Sequence, residues 1–169
     1  MASINEHKRA VSDLIADAFS VIPASRPIDL PPTKTIPDVP AWHDHEHKLW
    51  TLGEQIRHLI NEKPNIRGDR DIYSEILKIA TKRAGMRGRQ SWVILFAYKP
   101  CASWADEIAG LLPDADIDGH LVSALCKMKA SGFSATVLPL LNSPITWIRK
   151  KATQYLEFDK EAQSGRNGD

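Results

Sequence analysis

Apolar positions recur at helical spacings through most of this chain. Near the N-terminus, Val11, Leu14, Ile15, Ala18, Phe19 and Ile22 fall three or four residues apart, which predicts an amphipathic helix from about Ser3 to Ile22. Ser3 followed by Glu6 has the spacing of a capping box. Leu49, Leu52, Ile56, Leu59 and Ile60 form a second stripe, with Trp50 at its edge, and predict a helix from about Asp44 to Asn61. Between them, Pro23 to Pro40 holds 6 of the chain's 11 prolines. Proline lacks an amide hydrogen and restricts its predecessor, so this segment is predicted to be extended and irregular. It serves as a linker or as an arm anchored by Ile28, Leu30, Ile36 and Val39.

From Asp71 onward the helical pattern comes in pairs. The predicted pairs are about Asp71–Ala84 with Gly88–Tyr98, Ala102–Leu112 with Ile117–Met128, and Phe133–Leu141 with Ile145–Phe158. Gly85, Pro100, Pro113, Gly132 and Asn142-Ser-Pro144 mark the breaks. Phe96, Leu125 and Leu156 close the second stripes at separations of 29 and 31 residues, and Ile117 and Ile148 open the last two, again 31 apart. A period near 30 predicts helix pairs that stack, because one pair alone cannot bury its apolar face. The expected organisation is an N-terminal amphipathic helix (1–22), a Pro-rich arm or linker (23–41), a helical-repeat domain (42–160) and a disordered tail (161–169).

The third pair carries the most motif detail. Leu138-Pro139-Leu140-Leu141, the turn Asn142-Ser-Pro144, the step Ile148-Arg149 and the small Ala152 resemble a HEAT repeat. The second pair keeps Leu111-Leu112, the Asp114 and Asp116 turn and Ala124-Leu125, but has Asp118 where Arg149 would align. The first keeps little beyond length and rhythm. The resemblance implies an all-α fold, a short HEAT-like α-α superhelix of about three helix pairs with an N-terminal helical cap. It also implies that Arg149 bonds acids in a neighbouring turn, such as Asp114 or Asp116, and that Trp92 and Trp147 lie in the row of second helices lining the concave side.

Composition narrows the class. Apolar residues are 43% and charged residues 25%, as in an ordinary globular chain. No apolar run approaches the roughly 18 residues of a membrane span. The polar N-terminus lacks a signal core, so a cytoplasmic protein without membrane contact is expected. The net charge of +1 conceals banding: −2 over residues 1–65, +5 over 66–99, −5 over 100–120, +5 over 121–151 and −2 over 152–169. Cys101 and Cys126 lack metal-type spacing and read as free thiols.

Candidate chemistry is sparse. His43 and His47 share a helical face, as a metal site needs, but His58 is too far along a straight helix to complete one. The plainer reading is a polar helix start capped by Asp44. Asp114-Ala-Asp-Ile-Asp-Gly119 matches the first six positions of a calcium loop, yet position twelve is Leu125 rather than a carboxylate. The Arg67-Gly-Asp69 tripeptide is common by chance, and Gly85-Met-Arg-Gly88 lacks the Lys-Ser/Thr of a phosphate loop. No catalytic set, metal or cofactor is predicted.

Charge and tryptophan point to binding. Lys82, Arg83, Arg87 and Arg89 cluster at the first pair's turn, Lys127 and Lys129 end the second pair, and Arg149, Lys150 and Lys151 begin the last helix. Aligned, they would form a stripe for nucleic-acid phosphates, although no interleaved aromatics provide base stacking. The favoured reading is a non-enzymatic protein-binding module. Its short repeat array resembles small bacterial adaptors and toxin-neutralising immunity proteins. Its expected contact residues are Arg83, Arg87, Arg89, Trp92, Asp114, Asp116, Asp118, Trp147, Lys150 and Lys151. Asp106 and Glu107 extend the acidic band toward a basic partner.

Overall fold

The computed structural model describes residues 4–27, 34–36 and 39–166. Among them are eight α-helices and one short antiparallel ribbon, so the fold is all-α as expected. The chain divides into two compact units, residues 1–95 and 96–169. The division falls within the predicted helix Gly88–Tyr98.

In the N-terminal unit, α1 (Ile4–Val21) buries Val11, Ile15 and Ala18, a spacing of four and three that places them on one stripe. It packs on α2 (Asp44–Glu62) and α3 (Arg70–Thr81). The stripe of α2 is Leu49, Gly53, Ile56 and Ile60; that of α3 is Ile72, Tyr73, Ile76, Ile79 and Ala80. Asp69 caps α3 by accepting from the Ile72 amide at 3.2 Å, and Lys8 of α1 reaches the same carboxylate at 2.5 Å. A 3-10 stretch over Arg83–Arg89 then leads into α4 (Gln90–Ile94). Gly53 lets α2 and α4 approach closely, since a Cβ there would lie 2.2 Å from Ser91 Oγ.

The described parts of the Pro-rich segment include a short ribbon. Lys34–Ile36 (β1) pairs antiparallel with Val39–Trp42 (β2), Lys34 opposite Trp42 and Ile36 opposite Val39. The expected anchors Ile28 and Leu30 lie outside the described residues. So do residues 167–169 of the predicted tail, while its earlier part belongs to the last helix, which continues to Arg166.

A buried carboxylate ties these elements together. Glu46, in the first turn of α2, has no solvent exposure. Its Oε2 accepts from the His43 amide at 2.8 Å and lies 3.1 Å from His43 Nδ1; its Oε1 accepts from Arg87 N at 3.1 Å and Arg87 Nε at 3.2 Å. Thus His43, not Asp44, occupies the cap position. Arg87 also donates through Nη2 to the Ala41 carbonyl and lies 5.3 Å from the centre of the Trp42 ring. Burial pushes the Glu46 carboxyl up, but the His43 amide and ring and the Arg87 group more than reverse it, leaving the carboxyl below its ordinary value.

The same turn stores backbone strain. Met86 has φ 47° and ψ −136°, a region that side chains other than glycine avoid. It is held from both sides. The Arg87 amide is fixed on Glu46, and the fully buried Arg89 donates from Nε to the Met86 carbonyl and from Nη1 to that of Ala80, each at 2.9 Å. Gly88 permits the approach, because a Cβ there would meet Glu46 backbone oxygen at 2.6 Å.

In the C-terminal unit, a 3-10 turn (Lys99–Trp104) precedes α5 (Ala105–Gly110), and α6 is Asp118–Met128. The α7 helix is only Ser134–Val137, passing at Leu138 into a 3-10 turn as far as Asn142. Pro139 sits at the start of that turn, where its missing amide hydrogen costs least. The core is Leu121, Val122, Ala124, Leu125 and Met128 of α6 with Ile148, Ala152 and Tyr155 of α8 (Thr146–Arg166). Ala152 is fully buried, in keeping with a small residue where helices approach.

Two measurements test the buried carboxylate. Glu46→Gln leaves Arg87 without its charge partner, and should cost about 3 kcal/mol in urea unfolding. Glu46 and Asp69 both have folded-state pKa values below their ordinary ones. Their stabilisation is therefore complete above the unfolded-state values near ~4 and is lost as pH falls through the lowered folded-state values. An acid titration followed by circular dichroism should show this fall, and a shallower one for Glu46→Gln.

Candidate functional site

The C-terminal unit carries a concave, positively charged pocket of about 490 Å³. Its wall comes from three segments: Ala97, Tyr98 and Lys99 before α5, Ser123, Cys126, Lys127 and Lys129 at the end of α6, and Lys151, Gln154 and Phe158 on α8. The α8 residues follow from helical phase. Ile148, Ala152, Tyr155 and Asp159 face the core, so Lys151, Gln154 and Phe158 form the adjoining stripe at spacings of three and four. No carboxylate lines the pocket, and none of its four ammonium groups is ion-paired among the described residues. Lys151 Nζ donates to Gln154 Oε1 at 3.0 Å, and Lys129 Nζ lies 5.2 Å from the centre of the Phe158 ring.

The rim is set by a backbone device. Lys129, immediately after α6, is left-handed at φ 60° and ψ 35°. The Ala130 amide returns to the Leu125 carbonyl at 3.2 Å, the six-to-one bond that makes this position one normally given to glycine. Tyr155 fixes the next residues by donating to the Ala130 carbonyl at 2.7 Å and accepting from the Phe133 amide at 3.2 Å. Burial, chiefly, pushes its hydroxyl up to about 12. The buried Asp159 accepts from the Gly132 amide at 2.6 Å, from the Ser134 hydroxyl and from Gln163 Nε2 at 3.0 Å. Burial raises its carboxyl, but those donors outweigh burial and hold it below its ordinary value.

Cys126 is half-buried in the wall. Burial pushes its thiol up, and the lowering from Lys151 and Lys129 does not reverse this, so it is poorly suited to act as a nucleophile.

A second surface lies at the start of α8. Leu138, Ile145 and Trp147 are 54%, 47% and 43% exposed, and no residue of the 138–142 turn is buried. Trp147 is nevertheless held: its ring lies 5.2 Å from that of His120, and a Cβ on Gly119 would come 2.2 Å from its Cη2. Gly119 and His120 follow directly on the acidic turn. There Asp114 Oδ1 accepts from the Asp116 amide at 3.2 Å, and Asp118 Oδ1 accepts from the Gly119 amide at 2.6 Å. Burial and the charges of Asp114 and Asp116 leave the Asp118 carboxyl raised, so acid relieves this cluster rather than weakening it.

Several expected contact residues are placed differently. Trp92 is fully buried and donates from Nε1 to the Leu49 carbonyl at 2.9 Å, so it is core. Arg89 is fully buried and Arg87 is committed to Glu46, so neither presents its charge to a partner. Asp118 is nearly buried at 9% exposure. Arg83 and Lys150 are exposed, Trp147 is exposed, and Asp114, Asp116 and Lys151 are half-buried. Arg149 does not bond the neighbouring acidic turn. It closes its own, donating to the Ser143 carbonyl at 2.6 Å and to Thr146 Oγ1 at 3.0 Å.

Among the described residues no three histidine, cysteine or acidic side chains are placed to hold a metal, and no helix is long and apolar enough to cross a membrane. The pocket residues Tyr98, Lys99, Ser123, Gln154 and Phe158 did not stand out in the sequence. The only available signal was the position of Lys99, Lys127 and Lys129 beside predicted turns. No known protein family, curated protein or solved structure matches the chain.

Lys129→Gly tests the strained rim. Relief of the left-handed conformation is worth about 1–2 kcal/mol, against roughly 0.5–1 kcal/mol for the lost contact with Phe158. A thermal melt should show stability unchanged or slightly raised.

Proposed function

We propose that the chain is a non-enzymatic, protein-binding module built from HEAT-type helix pairs, acting in the cytoplasm as a small adaptor or toxin-neutralising immunity protein. The observation that carries this reading is Trp147, a large aromatic fixed by Gly119 and His120 yet 43% exposed. A pre-oriented tryptophan contributes contact area with little ordering cost, which is why tryptophan dominates binding hot spots. Leu138 and Ile145 add exposed apolar area in the same stretch of chain.

The acidic turn supports a basic partner. Asp114 and Asp116 directly precede the helix on which Trp147 rests, and both retain solvent access. Their charge would speed encounter and orient a basic surface, while the apolar residues would provide most of the affinity. The nucleic-acid alternative draws less support. Two of its stripe residues, Arg87 and Arg89, are spent inside the N-terminal unit.

Affinity capture from cell extract, run in parallel with the intact chain and with Trp147→Ser, tests the proposal. The intact chain should retain a basic protein in stoichiometric amount. Trp147→Ser should weaken that capture by at least 2 kcal/mol, roughly thirtyfold, while circular dichroism stays unchanged. Equal retention by both chains, or retention unaffected by Asp114→Asn with Asp116→Asn, would overturn it.

A further inference from the structure

We infer that the lysine pocket of the C-terminal unit binds a compact oligophosphate: a small ligand carrying two or more adjacent phosphates, of nucleoside di- or triphosphate size. This site is separate from the Trp147 surface and does not depend on a protein partner.

Four ammonium groups, on Lys99, Lys127, Lys129 and Lys151, line one concavity without a carboxylate among them. Lysines at a helix end commonly serve to offset the helix dipole, and Lys127 and Lys129 do stand at the end of α6. That dipole amounts to about half a charge, and its last carbonyls already receive the Lys129 and Ala130 amides. Four positive charges exceed this need several-fold. They repel one another until an anion arrives, and a triphosphate brings a matching count of negative charge.

Lys129 adds an independent argument. It stands in a left-handed position where glycine would be easier, and the strain persists because Tyr155 and Asp159 pin the residues that follow. Strain of this kind gathers at ligand sites. Here it turns a fourth ammonium toward the wall shared with Phe158. Tyr98, Ser123 and Gln154 contribute hydroxyl and amide groups, donors that phosphate oxygens accept.

Size and shape favour a small ligand over a nucleic acid. The volume lies in the usual range for small-molecule sites. Phe158 already carries Lys129 on its ring, and Tyr98 is the wall's one other aromatic, too few for the row of stacking rings that a single strand uses.

Calorimetric titration of the full chain with inorganic tripolyphosphate tests this. One saturable site is expected, with orthophosphate at least about tenfold weaker and ATP competing for the same site. Lys127→Gln with Lys151→Gln should reduce tripolyphosphate affinity about tenfold or more. Lys129→Gly should also weaken binding while leaving the melting temperature unchanged or raised, which separates a ligand role from a folding role. Lys160→Gln, outside the pocket, should bind as the intact chain does. The inference is overturned if neither tripolyphosphate nor ATP saturates, or if Lys160→Gln weakens binding as much as the pocket variants. It is also overturned if an oligonucleotide binds more tightly than tripolyphosphate and loses that affinity in the same variants.

Discussion

A carboxylate with no access to water, Glu46, organises the N-terminal unit. Burying one charge alone would cost several kcal/mol, so the chain must bring it donors. It brings the His43 amide from the start of α2 and the Arg87 backbone and side chain from a turn 41 residues later. The stretch that delivers Arg87 is kinked at Met86, which has positive φ, and Arg89 turns inward to hold the Met86 carbonyl. Glycine at 88 is required because the turn runs against the backbone of Glu46 itself. Two charges of the positive band, Arg87 and Arg89, thereby become internal wiring.

The C-terminal unit handles its positive band in the opposite way. Its buried acid, Asp159, spends its oxygens on Gly132, Ser134 and Gln163 rather than on a lysine. Tyr155 takes the neighbouring carbonyl and amide. Among the described residues Lys127 and Lys129 at the end of α6 and Lys151 on α8 have no carboxylate partner, and they line one pocket. The same economy leaves the 138–147 stretch uncovered: its turn buries nothing, and only Val137 and Ile148, at its two ends, enter the core. Two surfaces of different chemistry result, one aromatic beside acids and one cationic and concave.

Both proposed surfaces lie on the C-terminal unit. Trp92 and Trp147 both fall in predicted second helices, yet one fills a core and the other meets solvent. The difference is what faces them. Gly53 lets Trp92 of α4 lie close against α2, where the Leu49 carbonyl accepts a hydrogen bond from its indole N–H. Gly119 instead lets the Trp147 ring rest against the α6 backbone, with His120 beside it. A tryptophan's role was not legible from its spacing, because the decisive partner lies on another helix.

What the sequence by itself determined was the helical character of the chain and most of its apolar stripes. Val11, Ile15 and Ala18, or Ile148, Ala152 and Tyr155, are set by a 3.6-residue period that any reader of the residues recovers. It also located the break at Gly132, whose positive φ suits glycine, but it ran a helix over Phe133–Leu141 where α7 ends at Val137 before Pro139. The fate of each charge was decided only by tertiary structure. Arg87, Arg89 and Arg149 turned to carboxylate or backbone carbonyl partners, while Lys127, Lys129 and Lys151 gathered with no carboxylate partner among the described residues. A long charged side chain takes its role from the nearest acceptor in space, and that acceptor's position is a property of packing rather than of the residue's neighbours in sequence.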